Sequence, residues 1–252
     1  MKVITVAAIK GGTGKTTTAA ALSQAAAKEG FRILAVDLDP QGNLTQALGA
    51  ARTRANAYRV LTGEATAKEA IQATGQGVDV MAGCQDLTTL RTAQGSALRL
   101  KKALTQAAAG YDLCIIDTPP QMGELTFNAL TAADGLLIPL EADGASIQGF
   151  YQIADLARAT MRKANPGLSF IGVAVTRYDG RPKVSRYLRD QISKEAAAAG
   201  IPYLGEIRAG IAVKEAQGFA ESLFDYAPKS KPAKDYSELY GKMKAFLKNS
   251  QH

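Results

Sequence analysis

The sequence predicts a doubly wound, mostly parallel α/β sheet with helices on both faces. Three observations carry this expectation. Short, apolar, β-rich runs recur along the chain, stretches of helical composition separate them, and several runs lack period-two alternation, as strands buried on both faces do. Strand and helix in alternation is the pattern of parallel crossover units.

The expected strands are Val3–Ala8, Phe31–Val36, Val78–Ala82, Leu113–Ile116, Leu136–Leu140, Phe170–Val175 and Tyr203–Ile207. The expected helices are Thr16–Glu29, Asp86–Ala109, Leu125–Ala133, Ser146–Ala164, Lys183–Ala199, Ala212–Glu221 and Tyr236–Lys248. Residues Ala50–Thr74 read as a surface excursion holding small helical pieces, and Tyr226–Pro232 as an extended, proline-constrained segment. No repeat or low-complexity linker divides the chain, so a single domain over residues 1–252 is expected.

Composition excludes much. With 252 residues, 46% of them hydrophobic and 21% charged, the chain can bury a substantial core. No run reaches the roughly 18 apolar residues of a membrane span, and the opening Met1-Lys2-Val3-Ile4-Thr5-Val6 lacks the order of a secretory leader. A cytosolic protein is expected. The single histidine is His252, and Cys84 and Cys114 lie far apart in sequence. That leaves no material for a histidine-based triad, a histidine-ligated metal or a disulfide framework.

The net charge of +7 is regional. Residues 177–194 carry six Lys/Arg against two acids, residues 228–252 carry the same balance, and the remainder sums to −1. Charge gathered in this way suits a polyanionic partner, with a solvated basic helix as the plainer alternative.

The strongest motif is Ile9-Lys10-Gly11-Gly12-Thr13-Gly14-Lys15-Thr16-Thr17, after the first strand and opening the first helix. Gly11, Gly12 and Gly14 let backbone N–H groups around Thr13 turn inward as a nest for phosphate oxygens, and the helix N-terminus adds positive potential. Lys15 neutralises the β- and γ-phosphates, the Thr16 hydroxyl is placed to ligate Mg²⁺, and Thr17 continues the phosphate-facing turn. The strict phosphate-loop pattern has glycine where Ile9 stands.

With Lys10 following that non-glycine residue, the loop resembles the deviant Walker A motif of the ParA/MinD family of ATPases. The resemblance implies a phosphate-loop NTPase fold of the deviant Walker A type, with ATP and Mg²⁺ as ligands. It also implies a sandwich homodimer in which Lys10 reaches the partner's phosphates, as an arginine finger does. Asp37-Leu38-Asp39-Pro40 is similar to the family's switch I, which makes Asp39 the residue that orients the attacking water and places Asp37 near the metal. Leu113-Cys114-Ile115-Ile116-Asp117-Thr118-Pro119-Pro120 is similar to Walker B and switch II, with Asp117 holding Mg²⁺ directly or through water. Aspartates at the carboxyl ends of parallel strands do sit on the ligand-binding rim. Thr176 and Arg208 correspond to segments that frame the adenine, although many relatives carry asparagine at the first position and proline before the second. Pro139–Gly149 resembles part of the family's dimer interface, with Gly144 and Ala145 where relatives often carry aromatics.

The helix expected from Lys183 sets Val184, Leu188 and Ile192 on one face and Lys183, Arg186 and Arg189 on another. With Arg177 and Arg181 nearby, these residues form a candidate surface for non-specific binding to the phosphates of double-stranded DNA. The resemblance is nearest to short ParA (Soj-like) partitioning ATPases, without an N-terminal helix-turn-helix domain. It implies a cytoplasmic, nucleoid-associated protein whose hydrolysis is stimulated by a ParB-like centromere-binding adaptor. Two rival readings stand beside it. One is a MinD-like membrane switch, because Tyr236, Leu239, Tyr240, Met243, Phe246 and Leu247 share one helical face. The other is an ATP-dependent amidoligase or synthetase on the same scaffold. Iron–sulfur chemistry at a dimer axis is disfavoured, since Cys114 lies inside a strand.

Overall fold

The computed structural model describes residues 1–90 and 98–249; His252 lies outside them. Eight strands form one sheet in the order β3-β4-β2-β5-β1-β6-β7-β8. They are β1 (Lys2–Val6), β2 (Ile33–Asp37), β3 (Ile71–Gln72), β4 (Val78–Met81), β5 (Leu113–Asp117), β6 (Gly135–Glu141), β7 (Ser169–Tyr178) and β8 (Tyr203–Arg208). All neighbouring pairs are parallel except β3 with β4. The doubly wound expectation holds.

The helices are α1 (Lys15–Lys28), α2 (Asn43–Ala47), α3 (Ala57–Thr62), α4 (Ala67–Ala70), α5 (Arg99–Ala107), α6 (Glu124–Ala132), α7 (Gly144–Lys163), α8 (Lys183–Ala198), α9 (Ile211–Gly218), α10 (Leu223–Tyr226) and α11 (Lys231–Asn249). Period-two geometry divides the strand side chains between two cores. Leu34, Val36, Cys114, Ile116, Leu136, Ile138, Val173 and Val175 meet Phe150 and Ile153 of α7, together with residues of α3 to α6 and α8. Ile4, Val6, Ile33, Ala35, Ile115, Leu137 and Ala174 meet Ala19 and Leu22 of α1 and Tyr236, Leu239 and Met243 of α11. Both strand faces are apolar because both are covered.

Several expectations change. Ala50–Thr74 is more than a surface excursion: Ala57, Val60, Leu61, Ala67 and Ala70 are buried in the first core, and the segment adds the two-residue edge strand β3. The long helix expected over Asp86–Ala109 is a 3₁₀ turn at Gln85–Thr89 and then α5, with residues 91–97 outside the described residues. Pro232 lies inside the first turn of α11, where a missing N–H is tolerated, so the helix begins five residues before the expected Tyr236. Val184 is 61% exposed rather than in the core. The buried residues of α8 are Ile192 and Ala196, both in its second half.

Tyr236 is the largest fully buried side chain, its hydroxyl 3.3 Å from that of Thr18 on α1. It clamps α11 to the helix that begins at the phosphate loop. Tyr236→Ala is expected to lower the unfolding free energy by about 3–5 kcal/mol, read from the denaturant midpoint, while Tyr236→Phe retains most of the stability.

Candidate nucleotide and metal site

From β1 the chain winds toward β2 on one side and, later, toward β6, β7 and β8 on the other. The carboxyl ends around β1 therefore open a crevice, as at other topological switch points. A cavity of about 860 Å³ occupies it, lined by the phosphate loop, the Asp39–Gln41 turn, Pro119–Gln121, Thr176, Arg177 and the β8–α9 connection. That volume suits a nucleotide-sized ligand.

The loop between β1 and α1 turns through Gly12 and Gly14 at φ of 82° and 74°, left-handed values open to glycine at little cost. Behind it, Thr176 on β7 donates its hydroxyl to the carbonyl of Thr13 at 2.8 Å or of Leu140 at 3.1 Å. Thr176 is only 2% exposed and braces the phosphate loop from beneath while also lining the cavity. Thr13 is itself buried, and its hydroxyl lies 3.4 Å from the Lys10 carbonyl.

Lys15 is buried under the loop, its Nζ donating to the Lys10 carbonyl at 3.0 Å. Burial lowers its pKa, against the opposing pull of Asp117 and Asp39. The Thr16 hydroxyl donates to Asp117 Oδ2 at 2.6 Å, while Asp117 Oδ1 is buried with no hydrogen-bond partner. Burial, then the neighbouring Asp37 charge, push the Asp117 carboxyl well above its ordinary range. A partnerless carboxylate oxygen beside a hydroxyl is a donor set that fits Mg²⁺, a cation that takes one or two protein oxygens and completes its octahedron with phosphate and water. Among the described residues no group of three or more His, Cys, Asp or Glu forms a metal cage.

Asp37 is committed elsewhere. Its Oδ2 accepts from the Thr45 N–H at 2.8 Å and the Thr45 hydroxyl at 2.7 Å, and its Oδ1 accepts from the Asp39 N–H at 3.0 Å. Asp37 thus ties the β2–α2 loop together while lying close enough to Asp117 for its charge to act on that carboxyl. Burial raises its pKa to about 6 despite the Thr45 bonds. Asp39, 8% exposed and lining the cavity, accepts from the Gln41 N–H at 2.9 Å through Oδ1.

Lys10 points away from its own phosphate nest. Its ammonium pairs with Asp143 at the head of α7 and, at 3.4 Å, with Glu141, and the Asp143 bond is the main cause of its raised pKa. Arg177, counted from sequence among the DNA-facing cations, instead lies over the phosphate loop. It adopts a left-handed φ of 51°, and its Nη1 reaches the Gly12 carbonyl at 3.3 Å and Glu141 at 2.9 Å. Arg208 lines the cavity, but its guanidinium is held by Asp235 of α11 at 2.9 Å, so it borders the cavity as half of an ion pair. Thr17 accepts from Gln217 of α9 at 3.1 Å. Gln217, Asp235 and Glu141 come from distant parts of the chain, and no spacing in the sequence marks them.

The basic surface also changes. Arg189 is engaged by Glu206 at 2.5 Å and lies over the Tyr178 ring, and Arg181 chelates Asp179. Lys183 and Arg186 remain exposed at the head of α8, Arg186 donating only to the carbonyls of Gly180 and Arg181.

A carboxyl whose pKa is raised by folding binds its proton more tightly when folded, so stability falls as pH rises from about 4 through the folded value. For Asp117 this burden is carried at neutral pH. Asp117→Asn is expected to raise the melting temperature of the ligand-free protein at pH 7 and to remove the additional stabilisation given by Mg²⁺ with ATP, both read by thermal denaturation.

Comparison with known proteins agrees with this geometry. The profile of a family described as an AAA domain matches residues 1–170. The chromosome-partitioning ATPase Soj of Thermus thermophilus is 34% identical over 238 residues, covering 94% of this chain and 92% of its own. The chromosome partitioning protein ParA of Caulobacter vibrioides is 35% identical over 250 residues, covering 95% and 92%. Among solved structures, the cobyrinic acid a,c-diamide synthase of Mycobacterium smegmatis with bound ADP and magnesium superposes with a TM-score of 0.84 at 30% identity, covering 100% of this chain and 97% of that one. With a glycine nest, a buried lysine, a hydrogen-bonded Thr–Asp pair beside them and relatives of this similarity along nearly its whole length, the chain belongs to the ParA/Soj family of partitioning ATPases.

Proposed function

We propose that this ATPase is a DNA-partitioning switch: Mg²⁺ and ATP drive a sandwich homodimer, the dimer binds double-stranded DNA without sequence preference, and hydrolysis releases it. The observation that carries this reading is the division of labour between two lysines. Lys15 lies buried in its own phosphate loop, whereas Lys10 sits on the outer rim, 37% exposed and parked on two carboxylates. A cation placed there serves a phosphate approaching from outside.

Each residue then has a task. The N–H groups of residues 11–16 and Lys15 hold the β- and γ-phosphates. Asp117 and Thr16 would hold Mg²⁺, which neutralises charge on the phosphate oxygens. Asp39 accepts a hydrogen bond from the attacking water, whose oxygen bonds to the γ-phosphorus as the bond to the β-phosphate oxygen breaks, leaving ADP and phosphate. Lys10 of the second copy, freed from Asp143 and Glu141, offsets the charge spreading over the transferred group. Assembly thus limits turnover, and a ParB-like adaptor that favours the assembled geometry accelerates it.

For the DNA surface, Lys183 and Arg186 support the reading, since their charges face water; Arg177 and Arg189 are engaged elsewhere. Lys229, Lys231 and Lys234 extend the basic rim at the head of α11, which Arg208 and Asp235 tie to the end of β8. Such a surface supports the reading of a nucleoid-associated protein. The membrane alternative loses its motive, because Tyr236, Leu239, Tyr240 and Met243 are buried in the core and Phe246 and Leu247 pack against it. No helix among the described residues is long and apolar enough to cross a membrane. Amide synthesis is the second reading, favoured by the name of the Mycobacterium smegmatis protein. Phosphate release from ATP with no carboxylate or amine acceptor present separates the two.

Lys10→Ala is expected to lower ATP hydrolysis by about 10³-fold or more, the scale of a lost arginine finger, while ADP affinity stays near its original value. Hydrolysis by the variant at the unmutated rate overturns the role in the second subunit. Reversing charge at Lys183 and Arg186 together is expected to weaken duplex binding and to flatten the slope of log affinity against log salt by about 2. Unchanged DNA affinity places the surface elsewhere.

A further inference from the structure

The loop that carries Asp39 is held by two residues outside the lining of the cavity, and we propose that Gly83 and Thr45 are positioning residues for hydrolysis. This rests on the reading of Asp39 as the water-orienting group. Gly83, two residues beyond β4, donates its N–H to the Thr45 hydroxyl oxygen at 3.0 Å. That hydroxyl donates to Asp37 Oδ2 at 2.7 Å, joined there by the Thr45 N–H, and Asp37 Oδ1 accepts the Asp39 N–H. A continuous chain of hydrogen bonds thus runs from β4 through α2 to the backbone of Asp39. Thr45 is 1% exposed and Asp37 fully buried, so water does not substitute for a missing link.

Gly83 acts in a second way, by its lack of a side chain. A Cβ there would lie 2.7 Å from the Asp39 carbonyl oxygen and 2.9 Å from the Asp37 carboxyl carbon, closer than carbon approaches such atoms. Neither neighbour is the free end of a flexible chain: one is backbone and the other a carboxylate held by three donors. Any larger residue displaces the Asp37–Asp39 turn. Space, not backbone conformation, demands glycine, since Gly83 has no positive φ.

The phosphate loop is held independently, by Thr176 from β7. Neither Thr45 nor Gly83 lines the cavity. Disturbing them therefore moves the attacking-water geometry and leaves the phosphate nest in place. A misplacement of about 1 Å at a reacting group slows chemistry by about 100-fold.

The test measures kcat and KM for Mg²⁺-dependent ATP hydrolysis, together with ADP affinity, in Gly83→Ala, Thr45→Val, Thr45→Ser and Asp39→Ala. The expected result is a fall in kcat of about 10- to 100-fold in Gly83→Ala and Thr45→Val, with KM and ADP affinity within about threefold, and recovery of most of the rate in Thr45→Ser. Full turnover in Gly83→Ala and Thr45→Val beside a slow Asp39→Ala overturns the positioning role alone. ADP affinity that falls in step with kcat overturns it too, by showing a general structural defect. Asp39→Ala hydrolysing at the unmutated rate overturns the reading of Asp39 itself.

Discussion

The site depends on burying Lys15 and Asp117 together where β1 and β5 end. Neither charge is well served there by protein alone. Lys15 donates to a carbonyl, Asp117 keeps one oxygen without a partner, and burial pushes both groups toward their neutral forms. Asp37 and Asp39 crowd the same rim, so carboxylates outnumber the buried ammonium. Such a cluster is poorly balanced without ligand and is completed by a divalent cation carrying phosphates.

Around that centre the fold separates holding from acting. The phosphate loop is braced from β7 through Thr176, whereas the Asp39 turn is braced from β4 through Thr45 and Asp37. The two supports come from opposite sides of β1 in the sheet. Lys10 and Arg177 form a third group at the mouth, sharing Glu141 between them. A carboxylate shared by two cations releases either at lower cost than a dedicated pair does, because the other cation remains to compensate it.

Charge counting proved a poor guide to which cations are free. Residues 177–194 are as basic as the sequence indicates, yet Arg177 serves the phosphate loop, Arg181 chelates Asp179 and Arg189 is sandwiched between Glu206 and Tyr178. Lys183 and Arg186 are exposed in the first turn of α8, as is Val184 between them. An apolar stripe at helical spacing does not say where along the helix contact with the core begins.

By itself the sequence determined the strand–helix alternation, the phosphate loop and the strand-end aspartates, because these depend on residues adjacent in the chain. Glycines at fixed intervals, a lysine opening a helix and apolar runs of strand length act locally, and their consequences stay local. The tertiary structure alone decided which side chains meet across the sheet. Asp37 accepts from Thr45, Thr176 donates to the Thr13 carbonyl, Arg208 is held by Asp235, and Gly83 leaves room for Asp39. Those partnerships join residues from different strands and helices. They are set by strand order and register, which no local spacing encodes.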